Sequence, residues 1–456
     1  MKENLLNILQ NEVWPGNAAI LACIKDMDEV DIADAFTDLD AQKGTQLFRL
    51  LPKNIASDVF AYIDTDEQKD IIQTLTDTEQ ATLINDLFAD DAADLMEEMP
   101  PEIVVKLLKN ANAETRQNIN NLLKYPEDSV GSIMTVEYVR LKEDQVVGEV
   151  FDVIRKYGAD KETIYTCYVA DNDKTLIGVV SVKDLLLAKP DAKIKDIMTP
   201  NPKHAHTMEH RGEIAEVFRK YGFISLPVVD NEEKLIGIVT VDDILHVIEA
   251  ETTEDMQIMA AVTPSDAPYL QTSVIKHSRN RIIWLLLLMV SAMLTGGIIS
   301  TFEGKLTAVP MLIAFIPMLM DTGGNAGAQA STLVIRGIAL GEITMRNTLK
   351  VWWKEVRIAL ICGTVLGLLN FVRILIFDGL LLGSGVTAEI ARIATVVTLT
   401  LCFTIVIAKS IGCLLPIFAK KVKLDPAIMA APLITTIVDA FSLLAYFGIA
   451  AVLLHI

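Results

Sequence analysis

The run Ile282-Ile-Trp-Leu-Leu-Leu-Leu-Met-Val-Ser-Ala-Met-Leu-Thr-Gly-Gly-Ile-Ile-Ser-Thr-Phe302 contains no charged residue. As a helix rising about 1.5 Å per residue, it covers a hydrocarbon core roughly 30 Å thick. Similar runs recur at approximately 309–335, 358–382, 390–416 and 427–454. The pattern predicts an all-α membrane domain of five transmembrane helices over 276–456. Basic residues set its direction. Lys276, Arg279 and Arg281 precede the first run. Arg336, Arg346, Lys350, Lys354 and Arg357 separate the second from the third, and Lys420, Lys421 and Lys423 separate the fourth from the fifth. Positive residues favour the cytosolic side. This predicts a multi-pass protein of the plasma (cytoplasmic) membrane, with its N-terminal half cytosolic and its C-terminus extracytosolic.

Charge changes where the apolar runs begin. Residues 1–272 carry a net charge of −26 and residues 273–456 a net of +7, within a total of −19. The acidic half would repel nucleic-acid phosphates and attract cations; solubility alone is the blander reading. The five cysteines are scattered without a C-x-x-C pair, so a zinc site or disulfide framework is not expected. Met1–Gln10 is amphipathic and lacks a signal-peptide core, which also places this half in the cytosol.

Residues 1–128 read as an acidic, all-α helical-repeat N-domain. Apolar residues recur at three- and four-residue spacing, as in Ile103, Val104, Leu107 and Leu108. Short echoes (Asp31–Phe36, Ala56–Phe60, Asp91–Met96) suggest a repeat array. A stronger duplication follows. Ile133-Met-Thr135 returns as Ile197-Met-Thr199, and Arg155-Lys-Tyr-Gly158 returns as Arg219-Lys-Tyr-Gly222. Leu176-Ile-Gly-Val-Val-Ser-Val-Lys-Asp-Leu185 returns as Leu235-Ile-Gly-Ile-Val-Thr-Val-Asp-Asp-Ile244. Each copy, 129–190 and 191–250, reads as a small α/β unit, and two such units pair to bury a sufficient core. A polar linking helix, 246–275, with Glu251, Glu254 and Asp255 and then Pro264 and Pro268, leads to the membrane.

Two spans carry unusual polar residues. The second contains Asp321-Thr-Gly-Gly-Asn325 and Gln329. Its glycines either weaken the helix beside a wet path or allow close helix packing; the glycines alone favour packing, and Asp321, Asn325 and Gln329 move the balance toward a wet path. The fifth runs Asp425-Pro-Ala-Ile-Met-Ala-Ala-Pro-Leu-Ile-Thr-Thr-Ile-Val-Asp439. A carboxylate that deep faces a cavity or a partner. Lys409 is the obvious partner. In the pore reading, Pro432 and Thr435 share its helix face. Oxygen ligands without Cys or His favour a hard cation, and a hydrated Mg²⁺ on a two-fold axis suits one carboxylate per chain. Spacing does not separate Mg²⁺ from Ca²⁺ or Mn²⁺. His204-x-His206-x-x-x-His210 offers imidazoles for a transition metal, but a solvated strand-loop is the preferred reading.

The duplicated unit resembles a tandem cystathionine-β-synthase-type (CBS) pair, with Gly178–Asp184 and Gly237–Asp243 as its signature. The resemblance implies adenine-nucleotide binding (ATP) as one option, with Ser181, Asp184, Thr240 and Asp243 matching the ribose-contacting pattern; a purely structural pair is the other. Across the whole chain the order of parts resembles the MgtE magnesium channel/transporter family. The most specific motifs are Asp321–Asn325, Ser331–Arg336, and Asp425-Pro-Ala with Pro432 and Asp439. The resemblance implies a homodimer conducting Mg²⁺ along its two-fold axis. Asp439, Thr435, Ala431, Pro432, Asp321, Gly324 and Asn325 would form the ion pathway. Asp58, Asp90, Asp94, Asp243, Glu251, Glu254 and Asp255 would form cytosolic Mg²⁺ sites that clamp the linking (plug) helices shut. The chain departs from the family pattern at His210, Gly212, Gly222 and His246, where acids are expected, and at Ala328 and Ala431. Two rival functions are an ion-coupled divalent-cation exporter, relaying through Asp321, Asp439 and Lys409, and a nucleotide-regulated sensor without transport. No Walker A motif or nucleophile elbow points to an enzyme.

Overall fold

The computed structural model describes residues 5, 9, 16–37, 39–265, 269–270, 272–304, 309–377, 387–429 and 431–455. Most of the amphipathic start Met1–Gln10, Pro268 of the linker, the end of the expected third span (378–382) and the side chain of Ala431 lie outside them. The described chain divides into two compact units, Met1–Glu249 and Ala250–Ile456.

The first unit begins with short helices broken every ten residues or so. Among them are Ala41–Leu50, Lys53–Ala61 (α1), Thr65–Thr74, Asp77–Asp86, Ala89–Glu98 (α2), Pro101–Asn110 and Ala113–Leu122. Start signals explain the breaks. Lys43 N donates to Asp40 Oδ1 at 2.8 Å, Thr76 and Glu79 form a reciprocal capping box, and Pro101 occupies the first helical turn. Each helix is too short to stand alone. Their apolar stripes meet in one core that includes Leu47, Phe60, Ile71, Leu83, Leu107 and Ile119.

Two sheets follow. Tyr138–Leu141 (β1), Thr163–Ala170 (β2), Leu176–Ser181 (β3) and Thr199–Pro200 (β4) lie in that order. Ala205–His206 (β5), Ser225–Val229 (β6) and Leu235–Thr240 (β7) form the second sheet. β1–β2 and β5–β6 are parallel; β2–β3 and β6–β7 are antiparallel. The register Thr166↔Ser181 in one sheet repeats as Ser225↔Thr240 in the other. The Ile-Met-Thr duplication now has a physical reason, because each copy's opening residues pair with the other copy's sheet. Thr199 pairs with Val179 of β3, and Thr135 pairs with Ile238 of β7. The methionines close on the repeated glycines. A Cβ at Gly178 would stand 2.7 Å from Met198 Sδ, and one at Gly237 2.9 Å from Met134 Sδ. Tyr168 Oη and Ser225 Oγ, 2.6 Å apart and buried, tie the copies together.

Val241–Met259 (α3) leads out of the second copy. The second unit is built of Val274–Thr301 (α4), Ile316–Ala339 (α5), Thr348–Ile374 (α6), Ala388–Lys421 (α7) and Ala431–Leu454 (α8). Among the described residues four segments are long and apolar enough to cross a membrane: Val274–Thr301, Met345–Phe377, Ala388–Lys421 and Pro426–Leu454. α5, which carries most of the expected second span, is not among them. Asp321, Asn325, Gln329 and Arg336 lower its hydropathy. The reason it tolerates them is its position: Leu319, Gly323, Gly324, Gly327, Ala330, Ser331 and Val334 are buried against neighbouring helices, so less of it needs an apolar exterior.

Of the two readings of the α5 glycines, close packing holds: the helix is continuous from Ile316 to Ala339, and the glycines serve close approach. A Cβ at Gly323 would stand 2.7 Å from Thr404 Cγ2, one at Gly324 2.8 Å from Thr435 Cγ2, and one at Gly327 2.7 Å from Ile434 Cγ2. Small residues allow helices to pack this tightly in a membrane setting.

Candidate cation sites

In the first unit the acids gather where α2 meets the start of α3. Asp90 and Asp91 occupy the first turn of α2, and Asp242 and Asp243 that of α3. Glu137 and Glu162 add to them, held together by a Glu162 N–H donated to the Glu137 carbonyl at 2.9 Å. Burial, then the charges of Asp243 and Asp58, push Asp91 up to about 6. Burial, then Asp91 and Glu97, push Asp94 up to about 7, although the residue keeps an exposed surface. Asp243 rises to about 6 through burial, against the hydrogen bond from Thr240. Glu162 rises to about 8 through burial and then Asp243 and Asp242. Asp90 is raised by burial and by Asp91, and its Oδ1 is buried without a hydrogen-bond partner. Carboxylates crowded in this way favour either protons or a multivalent cation.

The structure therefore unites the predicted Asp58, Asp90, Asp94 and Asp243, and adds Asp91, Glu137, Glu162 and Asp242. Asp91 had a visible signal: with Asp94 it forms an i, i+3 acidic pair on one helix face. Glu162 had none, since only the sheet brings it to α2.

A second acidic group lies in the second unit. Asp255, in the last part of α3, is pushed up to about 6 by burial and then by Asp425, Glu251 and Glu254. Asp425 stands just before α8, its Oδ1 accepting from Ala427 N at 2.8 Å. The three predicted linker acids thus share a field with an acid at the mouth of the last helix.

Within the helical unit, Asp439 is half-buried on α8, and its charge faces that of Asp321 on α5. Asp321, Asn325 and Gln329 are exposed along one stripe of α5. Thr435 packs on Gly324 and donates to the Pro432 carbonyl at 2.9 Å. Lys409 does not pair with Asp439. Its Nζ lies 3.9 Å from Glu355 Oε2 of α6, with both side chains more than nine-tenths buried. The relay expected of Asp321, Asp439 and Lys409 is therefore not assembled, and Asp439 has no ion-pair partner among the described residues.

The duplicated hydroxyl-x-x-Asp pairs have diverged. Both are helix-start locks: Ser181 Oγ lies 2.6 Å from Asp184 Oδ2 and Thr240 Oγ1 2.5 Å from Asp243 Oδ2. Ser181 and Asp184 line a cleft of about 500 Å³ with Thr166, Tyr168, Asn201 and Lys203. Thr240 and Asp243 do not line that cleft; Asp243 belongs to the acidic group. His210 is separate again, its Nδ1 accepting from Gly212 N at 3.2 Å as a helix cap.

Apolar helices long enough for a bilayer, a helix with a polar stripe at their centre and clustered acids define a multi-pass membrane protein of the cation-transport class. The comparisons agree. The MgtE family, described as a divalent cation transporter, matches residues 316–449. The MgtE intracellular N domain matches 27–128, and CBS domains match 130–191 and 194–250. The magnesium transporter MgtE of Thermus thermophilus is 33% identical over 100% of both chains. That of Bacillus subtilis is 31% identical over 95% of this chain and 93% of its own. Among solved structures, the cytosolic domain of the Mg²⁺ channel MgtE in complex with ATP is 32% identical, with a TM-score of 0.51, and covers 54% of this chain and 100% of its own. The chain belongs to the MgtE family.

Proposed function

We propose that this chain is a Mg²⁺ channel/transporter mediating magnesium influx across the plasma membrane, gated by cytosolic Mg²⁺. One observation carries the reading: Asp439, half-buried on the last helix, faces a second acid, Asp321, and lacks a countercharge among the described residues. A carboxylate so placed needs water or a cation. Mg²⁺ keeps its inner waters and binds through few carboxylates, which matches one such acid per chain in a homodimer with its pore on the two-fold axis. Asp321, Gly324, Asn325, Ala431, Pro432 and Thr435 complete the pathway. The membrane potential drives entry, at about 2.3 kcal/mol per charge per 100 mV.

The working division is an acidic N-domain (1–128), two CBS copies (129–190, 191–250), a plug helix (246–275) and a five-span pore domain (276–456) in which α5 is the second span. The N-terminal half is cytosolic and the C-terminus extracytosolic. Two acidic groups act as the sensor. The first comprises Asp58, Asp90, Asp91, Asp94, Asp243 and Glu162; the second comprises Glu251, Glu254, Asp255 and Asp425. With little Mg²⁺ their repulsion favours the open state; bound Mg²⁺ offsets it and favours closure. The ion acts only through its different affinity for the two states. ATP, which the solved relative holds in its cytosolic domain, would occupy the cleft at Ser181 and Asp184, with Lys203 toward phosphate. Patch recording tests the gating: Glu251→Gln/Glu254→Gln/Asp255→Asn should conduct without inhibition by internal Mg²⁺, and retained inhibition contradicts the sensor.

A further inference from the structure

We propose that His204, His206 and Glu233 form a binding site for a divalent transition metal of the zinc type, on the second CBS copy and distinct from the oxygen-only acidic groups. His204 Nε2 lies 3.4 Å from Glu233 Oε2. The ligand atoms of the three residues all lie within 4.8 Å of one another. His204 and His206 meet edge to face, ring centroids 5.3 Å apart.

The hydrogen-bonding arithmetic favours a cation. His204 Nδ1 stands 3.2 Å from the Pro202 carbonyl oxygen. A carbonyl only accepts, so Nδ1 carries the proton and Nε2 of the neutral ring presents a lone pair. That lone pair points at a carboxylate that also only accepts. A proton shared by those two groups would leave His206 outside the contact. A metal ion satisfies all three donors at once, and a backbone carbonyl on the far nitrogen of a ligating imidazole is a common outer-shell arrangement.

The backbone holds the three groups in place. His206 is pinned in β5 by its parallel pairing with Val229 of β6. Glu233 occupies the left-handed region with φ of 62° in the turn between β6 and β7. Its N–H donates to the Asp230 carbonyl at 3.1 Å, and its own carbonyl accepts from Leu176 N at 3.1 Å. A bound ion would therefore brace β5 against a turn that already leans on β3 of the first copy. Two imidazoles and one carboxylate suit Zn²⁺, Co²⁺ or Ni²⁺ rather than Mg²⁺.

Full-length protein in detergent, with millimolar Mg²⁺ present, should be titrated with Zn²⁺ against a chromogenic chelator and with Co²⁺ by visible absorption. One tight Zn²⁺ per chain and visible Co²⁺ bands of low coordination number are expected. His206→Ala should weaken binding by at least about tenfold. Glu233→Gln, on an exposed turn that tolerates the change, should do the same, and His210→Ala should leave it unchanged. Equal Zn²⁺ affinity in the wild type, His206→Ala and Glu233→Gln would overturn the proposal, as would six-coordinate Co²⁺ spectra insensitive to both.

Discussion

Gly412 of α7 and Gly327 of α5 meet backbone to backbone: a Cβ on Gly412 would stand 2.2 Å from the Gly327 carbonyl oxygen. Neither helix can shift past the other without losing this contact. The polar stripe of α5 is thereby fixed in depth and rotation. Gly412→Ala should cost about 1–3 kcal/mol or more, because backbone cannot move aside as a side-chain tip can. Gly448→Ala, with nothing within 4 Å of the added methyl, should be neutral or slightly stabilising. Thermal unfolding in detergent measures both. Equal melting for the two variants would contradict the contact.

The buried pair Glu355–Lys409 joins α6 to α7. Glu355→Gln leaves an uncompensated ammonium inside the helical unit, at a cost of about 3–5 kcal/mol. Replacing both residues by Met should recover most of that loss. A double-mutant cycle on unfolding free energy checks the coupling, and additive losses would show that the two do not interact.

Much of this was legible in the residues. The Ile-Met-Thr and Leu-Ile-Gly repeats announced the duplicated module, and Asp439 announced itself by its depth in an apolar run. Other features needed the fold. Glu162 becomes an acidic-site residue only when β2 is laid beside β1. Glu355 becomes the partner of Lys409 only when α6 packs on α7. The glycines of α5 carried two opposite readings, and only the close approach of Thr404, Thr435 and Ile434 to them selects packing. Hydropathy alone also passes over α5, whose Gly323, Gly324, Gly327 and Ala330 are buried against neighbouring helices.

Stability of the acidic first unit should depend on pH and Mg²⁺. Unfolded carboxyls titrate near 3.8 for Asp and 4.5 for Glu, whereas Asp91 and Asp243 stand at about 6, Asp94 at about 7 and Glu162 at about 8. Between these limits the folded chain holds protons that the unfolded chain has lost. The stabilisation is therefore greatest at low pH and is lost as pH rises from about 4 to 8. Without Mg²⁺ the melting temperature should fall across that window; with Mg²⁺ the fall should flatten and protons should be released on binding. Asp91→Asn should raise the Mg²⁺-free melting temperature at pH 7 and shrink the Mg²⁺-induced shift. A pH-independent melt would contradict the cluster.

The two hydroxyl-x-x-Asp pairs should separate by ligand. Asp184→Ala should lose binding of a fluorescent ATP analogue while keeping Mg²⁺-induced stabilisation. Asp243→Ala should keep the nucleotide and lose part of the Mg²⁺ response. Loss of both responses in both variants would mean that the pairs act only as helix caps.

Permeation through Asp439 is tested most directly by Mg²⁺ uptake into proteoliposomes under an inside-negative potential, comparing the wild type with Asp439→Ala. Asp439→Ala should fold and reconstitute normally, with Mg²⁺ influx or its selectivity over monovalent cations lost. Wild-type Mg²⁺ flux with unchanged selectivity in Asp439→Ala would contradict the assignment.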